Sequence, residues 1–134
     1  MKVFIKNKII SLGGSSEVLN ENKELVYRVE GKIISPTRKK KIYNTSGELL
    51  YIIRNRFFNF FSHKVYVNNA QGERVATIKK NKFSFNLRFQ ILDTADQMSI
   101  DGKFFSRKST IMKNDQPVAT IIREFTLVED AFTL

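Results

Sequence analysis

A short phrase recurs along the chain, and the recurrence limits the folds open to it. "KIISLGG" begins at Lys8, "KIISPTR" at Lys32, "RFFNFFS" at Arg56, "KFSFNLR" at Lys82 and "KFFSRKS" at Lys103, at spacings of 24, 24, 26 and 21 residues. "EFTLVED", from Glu124, is a candidate sixth start another 21 residues on. A repeat of this length is one supersecondary unit, and it buries its apolar side only against neighbouring units. The second half of the unit repeats too: "NENKELVYRVEG", "NTSGELLYIIRN", "NNAQGERVATIKK" and "KNDQPVATIIRE" each set a polar turn before alternating apolar residues. Each unit is therefore two strands joined by a tight turn.

Period and residue type both favour strands. Leu25, Tyr27 and Val29 alternate with Val26, Arg28 and Glu30, and Val75, Thr77 and Lys79 alternate with Ala76, Ile78 and Lys80. "NENKELVYRV" competes as a helix, but its β-branched and aromatic ending and the stop at Gly31 oppose that. Ser46-Gly47, Gln71-Gly72 and Asn114-Asp115 supply hairpin turns. The 134 residues fit a single domain, 1–134. The expected fold is all-β: an antiparallel meander of about ten or eleven short strands, closed or nearly closed into a barrel that removes exposed edges.

Charge narrows the partners. The formal net charge of +10 is unevenly placed, with +1 in residues 1–31, +11 in 32–88 and −2 in 89–134. A field of that kind concentrates polyanions without choosing among them. Cysteine is absent, which excludes disulfides, thiolate nucleophiles and cysteine-ligated metals and is compatible with a reducing cytoplasm. The first residues, "MKVFIKNKIISLGG", lack the uninterrupted apolar stretch of a signal peptide or membrane span. A soluble, cytoplasmic chain is expected, peripheral at the membrane if it meets one.

The cadence of "KIISLGGSSEVLNENKELVYRVEGKIIS", "GELLYIIRNRFFNFFSHKVYV" and "GERVATIKKNKFSF" resembles the LURP-one-related (YxjI-like) proteins, over nearly all of the chain. The resemblance implies the tubby C-terminal-like fold, a closed antiparallel β-barrel threaded by a central apolar helix at the carboxyl end. It also implies contact with lipids, since tubby-like relatives bind phosphoinositides and scramblase-like relatives associate with membranes. The sequence departs from that pattern at "REFTLVEDAFTL", which looks like the strand before the central helix and is followed by none. Three outcomes stay open. The twelve phenylalanines fill a smaller or flattened barrel, a partner segment fills it, or the chain is a shortened form of a longer product.

Two clusters are candidates for binding an anionic surface. "PTRKKKIYN" places Arg38, Lys39, Lys40 and Lys41 side by side, and alternation sends Arg38 and Lys40 to the Ile42 side and Lys39, Lys41 and Tyr43 to the other. "RNRFFNFFSHK" sets Phe57-Phe58 and Phe60-Phe61 among Arg54, Arg56, His63 and Lys64. Phe60 and Phe61 fall in the turn, where they are either packed under the next hairpin or an interfacial anchor among cations. A third stretch, "IKKNKFSFNLRF", supplies Lys79 and Lys80, but Phe83, Phe85, Leu87 and Phe89 share one parity, as a core face does. Nucleic acid is disfavoured as a partner, because no RNA-recognition signature or major-groove helix is present.

Catalysis finds no support. His63 is the single histidine, so His/Cys metal clusters are excluded by count. Asp93, Asp96 and Asp101 bracket a turn, where Asp serves local hydrogen bonds. "LGGSS" lacks the Lys-Ser/Thr ending of a phosphate-binding loop, and no cofactor is implied. The expectation is a non-enzymatic barrel binding anionic phospholipid or phosphoinositide headgroups through Arg38, Lys39, Lys40, Lys41, Arg54, Arg56, Lys64, Lys79 and Lys80, with Phe60 and Phe61 inserting. A protein-interaction scaffold and a carrier of an apolar ligand in the barrel are the alternatives.

Overall fold

A computed structural model describes residues 2–7, 14–31, 35–55, 64–80, 86–103, 107–125 and 130–133. They form twelve strands: β1 (Val3–Asn7), β2 (Ser16–Asn20), β3 (Leu25–Gly31), β4 (Lys40–Asn44), β5 (Leu49–Asn55), β6 (Lys64–Asn69), β7 (Arg74–Lys80), β8 (Asn86–Leu92), β9 (Met98–Lys103), β10 (Lys108–Lys113), β11 (Gln116–Phe125) and β12 (Asp130–Thr133). Among the described residues there is no helix. The described residues hold twelve strands, against an expected ten or eleven or so.

Every strand pairs antiparallel with its neighbours in sequence, as a meander requires. β1 also pairs with β12, through Phe4↔Thr133, Ile5↔Phe132 and Lys6↔Ala131, so the neighbour order is that of a closed barrel. Successive pairings sort side chains onto two faces. Ile5↔Val18, Val29↔Ile42, Ile53↔Val67, Ile78↔Ile91, Phe89↔Ile100 and Ile100↔Ile111 share one face, which is apolar. Arg28↔Tyr43, Arg54↔Tyr66, Lys64↔Lys79 and Arg88↔Asp101 share the other, which is polar.

The repeat seen in the sequence is a repeat in structure. Asn20, Asn44 and Asn69 each close a hairpin, with backbone N–H donated to the carbonyl of Glu24, Glu48 and Glu73 at 3.0, 3.0 and 2.8 Å. The asparagine Oδ1 accepts the glutamate N–H at 3.0, 2.9 and 2.9 Å, and Nδ2 donates to glutamate Oε2 at 2.8, 3.0 and 2.7 Å. The residue before the glutamate turns left-handed: Gly47 (φ 80°), Gly72 (φ 89°) and, with a Cβ to accommodate, Lys23 (φ 63°). Asn114 (φ 48°) and Asp115 (φ 62°) make the two-residue turn that this pair favours.

A register shift follows each of these turns. Leu19 pairs with Leu25, Tyr43 with Leu49, Asn68 with Arg74 and Met112 with Pro117, each time leaving Val26, Leu50, Val75 or Val118 as the extra residue of a bulge. The extra residue is aliphatic every time. Bulges raise local twist and bend a strand, which is how a meander curves into a ring.

Candidate anionic-surface site

Consecutive antiparallel strands put the three Asn–Glu hairpins at one end and the connections 32–39 and 56–63 at the other. The described cations of the two sequence clusters lie at the second end. Lys40 and Lys41 open β4, Arg54 stands one residue before the end of β5, Lys64 opens β6, and Lys79 and Lys80 close β7. Arg38 and Lys39 lie in the turn ahead of β4, where Arg38 donates its backbone N–H to Ser35 O at 3.1 Å and Lys39 donates to Ser35 Oγ at 2.9 Å. Asn55 N–H donates to Thr37 O at 2.7 Å, tying this turn to the end of β5 beside Arg54. Arg56, Phe60, Phe61 and His63 lie outside the described residues.

Alternation splits the lysines. Lys41 pairs with Glu30 and Ile52 on the polar face, while Lys40, paired with Gly31 and Ile53, belongs to the apolar face. Lys79 and Lys80 divide in the same way, Lys79 opposite Lys64 and Lys80 opposite Phe89. The expected placement of Arg38 with Lys40 does not hold. Arg38 has φ 49°, a left-handed conformation that ends the strand alternation before it reaches that residue.

On the polar face, Lys41, Arg54, Lys64 and Lys79 occupy four consecutive strands, so they cross about 14 Å of wall at the usual strand spacing. Arg54 is set in place by Tyr66, directly opposite, whose ring centroid lies 5.2 Å from its guanidinium carbon. Arg74 packs over the same ring from the hairpin side at 3.6 Å. Lys64 and Lys79 face each other across the ladder, two like charges directly opposite. Ion pairs further round the wall are of ordinary structural kind. Arg28 Nε meets Glu30 Oε1 at 3.1 Å and lies over Tyr43, at 5.4 Å from the ring centroid.

Asp93, Asp96 and Asp101 each have a separate partner. Asp93 accepts a hydrogen bond from Thr77 Oγ1. Asp96 Oδ2 meets Lys113 Nζ at 2.9 Å and its Oδ1 accepts from Asn114 Nδ2 at 3.1 Å; these bonds hold its carboxyl below the usual range. Asp101 is in β9, not in the turn, and takes a two-pronged bond from Arg88 Nε and Nη2 at 2.9 and 3.0 Å. That hydrogen bond lowers the Asp101 carboxyl and raises the Arg88 guanidinium. Arg88 is thereby committed to the wall. A cavity of about 280 Å³ beside this pair is lined by Gln90, Leu92, Met98, Ser99 and Met112 among others. Among the described residues no group of three or more His, Cys, Asp or Glu could hold a metal ion, and no helix is long and apolar enough to cross a membrane.

A family model described as LURP-one-related matches residues 1–134, the whole chain. The chain belongs to the LURP-one-related family. No curated protein and no solved structure matches it. Within this LURP-one-related chain, the sequence marked the basic segments but missed the Arg88–Asp101 pair and the stacking of Arg54 on Tyr66. Both depend on cross-strand register. The Asn-x-x-x-Glu clasp was read only as a polar turn, in "NENKE", "NTSGE" and "NAQGE".

Proposed function

We propose that this LURP-one-related protein is a non-enzymatic β-barrel module that docks on anionic phospholipid headgroups by its basic end. The observation that carries the reading is the Lys64–Lys79 like-charge pair, flanked on the same face by Arg54 and Lys41. Cross-strand lysines repel, and an anionic surface offsets that repulsion. Each basic residue at such a surface contributes about 1 kcal/mol. Arg38 and Lys39, in the turn tied to β5, extend the same end. The tubby-like relatives implied by the sequence resemblance bind phosphoinositides, which points the same way.

Sedimentation with vesicles of graded anionic content, repeated over a salt series, tests the reading. Binding should rise with phosphatidylserine or phosphoinositide content and weaken as salt increases. Binding indifferent to both rejects it, and equal affinity for a single-stranded oligonucleotide demotes lipid to one polyanion among several.

A further inference from the structure

A groove on the polar face of β8, β9 and β10 lies at the hairpin end, away from the four cations of β4 to β7. Arg88, Gln90 and Leu92 alternate down β8, Gln90 pairs with Ser99 on β9, and Ser99 pairs with Met112 on β10. The Arg88–Asp101 pair bounds the groove above. Below it, the connection 93–97 and the turn at Asn114-Asp115 are tied together: Gln97 N–H donates to Asn114 Oδ1 at 3.1 Å and Asn114 N–H to Gln97 O at 2.8 Å. The cavity, about 280 Å³, falls just under the usual range for small-molecule pockets, about 300–1,000 Å³. It suits one side chain better than a whole cofactor.

The lining carries one cation and two carboxylates. Arg88 and Asp101 neutralise each other through their two-pronged bond, and nearby Asp96 is matched by Lys113. The Asp115 carboxylate is left over, since among the described residues it has no hydrogen bond or ion pair. A cation is therefore the charge that completes the groove. Between the two ends, Leu92, which is 41% exposed, and Met112 supply an aliphatic and thioether floor. Two of the chain's three methionines line this groove, and methionine is over-used at surfaces that accept polypeptide partners, because it is unbranched and polarizable. No aromatic ring lines it, which withholds the stacking a guanidinium uses and favours the methylene stem of lysine. The side-chain amides of Gln90 and Gln97 remain for the peptide groups on either side.

We propose that this groove docks a partner polypeptide through one lysine side chain, its stem over Leu92 and Met112 and its ammonium at Asp115. The flanking peptide amides meet Gln90 and Gln97. A chain of net charge +10 repels most basic segments, and residues 89–134, at −2, are where one can approach. The site is separate from Lys41, Arg54, Lys64 and Lys79 and stands whether or not those meet a membrane.

Methionine-methyl NMR of the full chain tests this, with Met98 and Met112 as reporters at the groove and Met1 as the reference. N-acetyl-lysine N-methylamide should shift the Met98 and Met112 signals saturably and leave Met1 in place. The norleucine counterpart, which keeps the alkyl stem without the charge, should bind at least tenfold more weakly. So should n-butylamine, which keeps the ammonium without the peptide groups, and the arginine counterpart. Asp115→Asn should weaken the lysine compound at least tenfold and leave vesicle binding unchanged, because asparagine also accepts the left-handed φ of 62° and removes only the charge. Glu24→Gln, at an acid outside the groove, should change neither. Absence of a saturable shift overturns the proposal, and so does an Asp115→Asn chain that binds like the parent. Equal binding of the norleucine or arginine compound also overturns it, and equal binding of butylamine assigns the groove to small amines instead. These ligand comparisons use the unaltered chain and do not depend on how a variant folds.

Discussion

The two ends of the barrel are built from the same repeating unit and use charge in opposite ways. At the hairpin end the acids are part of the turn: Glu24, Glu48 and Glu73 each clasp an asparagine four residues earlier, satisfying backbone and side chain together. At the other end the cations are gathered by strand register and not by a repeated turn motif. Lys41, Arg54, Lys64 and Lys79 line up on one face, and two of them oppose each other across a ladder. One end is shaped by what a hairpin needs to close. The other gathers like charge on one face.

The largest expected effect comes from removing that charge. Vesicle affinity of K41Q/R54Q/K64Q/K79Q should fall by about a thousandfold in low salt, at about 1 kcal/mol for each cation. Neutralising the hairpin end, with E24Q/E48Q/E73Q, should leave vesicle affinity unchanged or slightly raised. Equal losses from both ends would erase the contrast between them.

Stability should respond the other way round. Asn44→Ala removes an acceptor for the Ser46 and Glu48 N–H groups, at 3.1 and 2.9 Å, and a donor to Glu48. Denaturant melts should show a loss of about 1–2 kcal/mol, with vesicle binding of the folded protein intact. A smaller gain is available at the first hairpin, where Lys23 holds φ 63° at the place glycine fills in the next two turns. Lys23→Gly should stabilise by up to about 1 kcal/mol, and Gly47→Lys should lose about as much. If both changes are neutral, the three hairpins are not equivalent.

How far this was legible in the sequence depends on whether a feature is local. The Asn-x-x-x-Glu turns and the alternation after them lie within a few residues, so the strands and the meander follow from reading along the chain. The division of Lys40 from Lys41 was also legible, being a matter of parity. Arg38 was not, because its left-handed backbone breaks the parity count. The bulges at Val26, Leu50, Val75 and Val118 were missed, since an aliphatic residue two places after the turn looks the same whether or not it is skipped in the ladder. The pairing of Lys64 with Lys79 and of Arg88 with Asp101 needed the register between strands, which no single segment contains.

The smallest effect probes the wall away from the basic end. Arg88 holds the Asp101 carboxyl below its usual range, so this pair adds stability above the ordinary carboxylate pKa and loses it as pH falls through the lowered folded value. Arg88 and Asp101 are 55% and 34% exposed, so solvent screening keeps the contribution small. Asp101→Asn should remove that part of the acid sensitivity and leave vesicle binding untouched.

The absence of cysteine makes the central claim directly measurable, because a single introduced thiol can carry an environment-sensitive fluorophore without competing sites. Labels at Thr37→Cys, in the turn of the basic end, and at Ser46→Cys, in a hairpin of the other, report separately which end meets an anionic vesicle. The label at 37 should shift to the blue on adding phosphatidylserine vesicles and return in high salt, while the label at 46 stays unchanged. A shift at 46, or none at 37 under conditions where the protein sediments with the vesicles, would contradict the assignment of the basic end as the lipid-facing surface.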